Sequence, residues 1–170
     1  RWTGIHHEDW RYREFRRRYK SLYWPVSFFG IHLFPTLIVF LGCLSIYPVM
    51  AGTSGAPRSF GLLDVFAIAV TLAAIALETT ADRQLHRYKE SSSASGQILS
   101  EGLWARCRHP NYLGEVMFWW GVYLFGLAAS PSSWWLAAGP LAMTSLFVWV
   151  SVPWMDRHLV GRKSGYAEHM

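Results

Sequence analysis

Between Leu22 and Met50 the chain carries no Asp, Glu, Lys or Arg. About 20 predominantly apolar residues are enough for a helix to cross the hydrocarbon core of a bilayer, so this stretch predicts a transmembrane helix over 22–50. Pro35 lies inside it, where neighbouring helices can satisfy the carbonyl that proline frees, and a kink is expected there. Three further stretches fit the same template: 61–80, with Asp64 and Glu78 towards its ends, then 111–129 and 134–154. The turns between them are Gly, Pro and Ser rich, at Ala51–Ser59 and at Ser130–Ser133. The fold predicted is therefore all-α, a multi-pass transmembrane bundle of four spans within one domain, 1–170. A soluble protein of this length would lack the polar surface to cover four such segments.

The charge distribution orients the bundle. Of the 16 lysines and arginines, all but Arg58 fall in the arm 1–21, the loop 81–110 or the tail 155–170. Cytoplasmic loops carry the excess of basic residues, so both termini and the 81–110 loop are expected on the cytoplasmic side of a plasma or endoplasmic reticulum membrane. Basicity this local argues for anchoring at a membrane face, with lipids as partners and no nucleic acid. Arg16, Arg17, Arg18 and Lys20 are placed to hold anionic headgroups, while His6, His7 and Trp10 before them have no assigned role. His32 reads as a neutral histidine bonded to a neighbouring helix, with a proton relay as the alternative. Trp24, Trp134, Trp135 and Trp154 sit at predicted span ends, where amphipathic rings favour the headgroup zone. Cys43 and Cys107 have neither disulfide nor metal-site spacing. The chain opens on Arg1, which suggests a trimmed chain or a fragment lacking N-terminal helices.

Two constellations carry chemistry. In GLWARCRHPNYLGE, Gly102 to Glu115, Pro110 suits the first turn of a helix. That helix mouth, with Arg106, Arg108 and His109 before it, suits an anion such as a phosphate. Asn111, Glu115 and Trp119 follow on one face, and Glu115 must find a partner inside the bundle. At the end of the second span Glu78 and Asp82 are four apart, followed on the same face by His86 or Leu85 and then Lys89. These acids could accept amide or ribose protons while the base holds a phosphate. Both constellations face the same side, so a shared pocket is expected. Each also has a structural reading: a border marker with a helix tie at Glu115, and a solvated helix end with an Asp82–His86 pair.

GLWARCRHPNYLGE, with ETTADRQLHRYK before it and EDWRYREFRRRY earlier, resembles the membrane family allied to the C-terminal domain of steroid 5α-reductase and the related sterol reductases. The resemblance covers nearly the whole chain. It implies a helical membrane fold that binds NADPH and reduces a conjugated carbon–carbon double bond in a lipid-like substrate. Cofactor contacts carried over are Glu78, Asp82 and Lys89, then Gly102, Leu103 and Trp104, then Arg108, His109, Asn111, Tyr112 and Glu115, with Asp156, Arg157 and Tyr166 in the tail. The catalytic residue stays unassigned, with Tyr112 as a candidate, because the family's activating acid and tyrosine belong to earlier helices. The RHP-x-Y-x-G element is also similar to that of isoprenylcysteine and phospholipid methyltransferases, which use S-adenosylmethionine. Those pair it with a glutamate-rich segment where this chain reads MDRHL. A non-catalytic membrane protein of the same fold is the third alternative.

Overall fold

A computed structural model describes residues 10–52, 59–91, 98–161 and 166. His6, His7, Arg58, most of the SSSASG segment, Arg162 and Lys163 lie outside the described residues. Helix dominates, with no strand among the described residues, and four helical runs are long and apolar enough to cross a membrane: Trp10–Ala51, Leu62–Glu90, Pro110–Ala129 and Pro131–Val160. The first begins with a separate helix, α1 (Trp10–Tyr19), before α2 (residues 23–51). The others are α3 (Leu62–Glu90), α4 (Pro110–Ala129) and α5 (Pro131–Val160).

The chain, read from composition as one domain, divides into two compact units, Arg1–Phe40 and Leu41–Met170. In the first, the described residues form α1 and the start of α2. The second contains α3, α4 and α5 with the last turns of α2.

The helices run further than the apolar stretches that predicted them. α3 continues ten residues past Thr80, through positions read from sequence as loop, because ADRQLHRYKE consists largely of helix formers. An exposed His86–Glu90 pair at 3.3 Å and the cations Arg87 and Lys89 in the last turn support its end. α5 likewise reaches Val160 rather than Trp154. Polarity marks where a helix leaves lipid, not where it stops. At the other end of α3, the N–H of Gly61 donates to the Asp64 carboxylate at 2.8 Å, fixing the helix start. Pro110 and Pro131 open α4 and α5, where a missing N–H costs nothing.

Side-chain distribution is inverted relative to a soluble protein. Leu62, Phe66, Leu72 and Trp149 are exposed, whereas Ser45, Ala67, Ala74 and Ala81 are fully buried. Without a hydrophobic drive between helices in lipid, association rests on close packing of small residues. The α3–α4 pair shows this most fully. Ala67, Ala74 and Ala81 recur, fully buried, every seven residues on α3, while Gly114 and Gly121 on α4 abut Glu78 and Thr71, and a Cβ on Gly114 would lie 2.9 Å from the Glu78 backbone nitrogen.

Two stretches are π-helical, Phe28–Leu33 and Phe147–Ser151, besides 3₁₀ turns at Leu44–Ile46 and Pro131–Ala137. Each π-helical stretch ends two residues before a proline, and in each the residue preceding that proline donates five back, Phe34 to Phe29 and Val152 to Phe147. A proline ring collides with the carbonyl four residues earlier. The widened turn moves that carbonyl away, so the helical run continues through Pro35.

Candidate functional site

At the mouth of α4 a carboxylate from α5 collects three donors. Arg108 Nη1 donates to Asp156 Oδ2 at 3.0 Å, His109 Nε2 lies 2.7 Å from Oδ1, and the Tyr166 hydroxyl donates to Oδ1 at 2.8 Å. Tyr166 and His109 are buried, and Arg108 remains partly exposed. Burial first, then the bond to the Asp156 carboxylate, raises the Tyr166 phenol above its ordinary range. His109 stacks on Tyr112, centroids 5.1 Å apart, and Tyr112 in turn packs against Phe147 at 4.9 Å.

Behind this network lies a cavity of about 310 Å³, walled by Leu85, Tyr88, Trp104, Tyr112, Met155 and Leu159, with Lys89, His109 and Asn111 as its polar groups. The Asn111 side-chain oxygen is buried with no hydrogen-bond partner among the described residues. An orphaned acceptor of that kind costs about 1–3 kcal/mol unless something donates to it. Trp104 is fixed by its indole N–H, which donates to the Ala81 carbonyl at 3.1 Å. Leu85, Trp104 and Leu159 also wall a smaller space of about 80 Å³ that Arg108 and Tyr166 line. Tyr88 is shared with a third, of about 660 Å³, that reaches Gly102.

The predicted site residues separate into groups. Lys89, Trp104, His109, Asn111 and Tyr112 meet at the 310 Å³ cavity, and Arg108, Asp156 and Tyr166 join them through hydrogen bonds. Gly102 and Leu103 form a 3₁₀ turn, Gly102–Ala105, held to α3. The Leu103 N–H donates to Gln84 Oε1 at 3.0 Å, and Gly102, at φ +59°, lies where a Cβ would strike the Gln84 amide. Glu78 and Glu115 lie together at the Gly114 contact, and Glu115 accepts from Trp119 Nε1 at 2.9 Å.

The convergence read from sequence therefore needs correction. The acid that meets Arg108 and His109 is Asp156 from α5, not Glu78 or Asp82. Asp82 is exposed beside Thr79, Arg83, His86 and Arg87, around an open depression, because its place on α3 turns it away from the α4 seam. Its expected pairing with His86 is replaced by the His86–Glu90 contact. Arg157 is exposed and lines none of these spaces, being one residue round from Asp156. Gln84 and Met155 carry no motif signal in the sequence: they are ordinary helix residues whose only mark is a shared face, Gln84 with Tyr88 and Met155 with Leu159.

A lipid-facing exterior, a small-residue interior and a mainly apolar cavity with a few polar groups at a helix mouth define a membrane-type helical protein. The chain belongs to the family described as protein of unknown function (DUF1295), whose model matches residues 1–169. Among curated proteins it is similar to Uncharacterized protein C594.04c of Schizosaccharomyces pombe, with 28% identity over 85% of this chain and 45% of that protein. The chain thus spans less than half the length of that relative. No solved structure matches it.

Proposed function

We propose that the chain is a membrane-embedded NADPH-dependent reductase acting on a carbon–carbon double bond conjugated to a carbonyl in a steroid-like or other lipid substrate. The observation that carries this reading is the buried Asn111 oxygen, without a hydrogen-bond partner among the described residues, in a cavity shared with Lys89. An acceptor and a cation fit the two ends of such a cofactor: the amide N–H of a carboxamide and a phosphate. The resemblance to steroid 5α-reductase and sterol reductases points the same way, and the neighbouring spaces walled by Leu85, Trp104 and Tyr88 give an extended ligand room to continue.

Bound NADPH would supply the hydride. Asn111 would orient the carboxamide, Lys89 and the free N–H groups of Arg108 would hold phosphate, and Trp104 and Tyr112 would flank flat rings. Asp156 fixes the ring of His109, and His109 and Tyr112 are the proton-bearing groups on the cavity wall within the α4 motif. The apolar lining from Leu85, Met155 and Leu159 suits a lipid and excludes water.

One observation favours S-adenosylmethionine as the alternative cofactor: Asp156 offsets the charge of Arg108, leaving a weaker positive field than a multiply charged dinucleotide would use best. Thermal unfolding of the purified protein in detergent separates the readings. NADPH at about 100 times its Kd should raise Tm by about 5 °C or more, NADH less, and Asn111→Ala should reduce the shift. Stabilisation by S-adenosylmethionine alone would overturn the proposal.

A further inference from the structure

α1 does not run straight into α2. Lys20 has φ +43°, a left-handed conformation that a helix of L-residues cannot propagate, and the chain folds back. Tyr12 and His32 consequently lie with ring centroids 6.0 Å apart, whereas an unbroken helix would hold them about 30 Å apart. Arg16 covers the Tyr23 ring at 5.1 Å. Residues 10–32 are thus a helical hairpin. Outside it, Arg13, Arg17, Arg18 and Lys20 are exposed and meet no carboxylate among the described residues. On the returning helix Trp24, Phe28 and Phe29 are 78%, 53% and 60% exposed.

These two surfaces make opposite demands. Unpaired cations are excluded from hydrocarbon, and a cluster of exposed aromatic rings is unfavourable in water. Only the headgroup layer satisfies both, with rings at the acyl boundary and guanidinium groups among phosphates. Residues 33–51 then remain for the crossing and, at 1.5 Å per residue, reach about 28 Å, close to the hydrocarbon thickness. We propose that the 10–32 hairpin lies in the headgroup layer and binds anionic phospholipids, with the hydrocarbon edge near Leu33. This goes beyond the cofactor reading and does not depend on it.

The test reconstitutes the full chain in phosphatidylcholine bilayers and compares association of spin-labelled phosphatidylglycerol with that of spin-labelled phosphatidylcholine. Replacing Arg13, Arg17, Arg18 and Lys20 together by Gln should lower the preference for phosphatidylglycerol by about threefold or more. An unchanged preference, as an acidic protein partner for this face would give, overturns the proposal. Depth is checked separately, with nitroxides at Phe28→Cys and Phe40→Cys in a Cys43→Ser/Cys107→Ser background. A polar relaxation agent should reach the first and not the second; equal depth would equally refute it.

Discussion

Asp156 draws its partners from far along the chain: Arg108 and His109 lie 48 and 47 residues before it. No local pattern announces such a pairing. The sequence shows residue types and their helical faces, which suffice to bring Lys89, His109 and Asn111 under suspicion. It does not show which acid the cations meet. Asp156→Asn keeps the shape and removes the charge, so it should lower stability by about 2 kcal/mol, discounted for the exposure of Arg108, as measured by thermal unfolding in detergent. Tyr166 supplies a pH test. Its phenol is raised by burial and by Asp156, so the folded state holds that proton more tightly than the unfolded chain. Docking therefore contributes fully below the ordinary phenol pKa of about 10 and is lost as pH rises beyond it. In a spectroscopic tyrosinate titration, Tyr166→Phe should delete the most alkaline component. Loss of an ordinary component would show that the phenol is not docked as described.

Among the elements, α3 and α4 depend on glycine at their closest approach. A Cβ on Gly114 would lie 2.7 Å from the Glu78 Cβ as well as against its backbone, whereas one on Gly30 would meet nothing within 4 Å. Gly114→Ala should cost about 1–3 kcal/mol through overpacking, and Gly30→Ala should stay within about 0.5 kcal/mol. Equal melting temperatures for the two variants would contradict the close approach. Small residues recur at seven-residue intervals at Ala67, Ala74 and Ala81 and at Gly114 and Gly121, a seam signal that the charge-based reading of the sequence passes over. Charge-free stretches revealed how many membrane-length helical runs there are but missed α1 and misplaced the ends of the others, because hydropathy reports the solvent and capping and propensity decide termination. The reversal at Lys20 had no signal, as lysine is not a residue that favours positive φ.

For the molecule as a whole, the described features give a directional test. α4 spans about 30 Å between His109 and Ser130, so its two ends belong to opposite membrane surfaces. With Cys43 and Cys107 replaced by Ser, a membrane-impermeant thiol reagent should label Glu90→Cys and Ser132→Cys from opposite sides of sealed vesicles. Labelling from one side would refute the four-crossing arrangement. The π turns have a different consequence. Such a turn amounts to one surplus residue in an otherwise regular helix. Deleting Val150 together with Pro153→Ala should therefore leave Asp156 aimed at His109, whereas deleting Ala142 from the regular stretch would swing Asp156 about 100° round the axis. Surplus residue and proline form a matched set: this helix can lose both and keep its aim, but cannot lose a residue elsewhere.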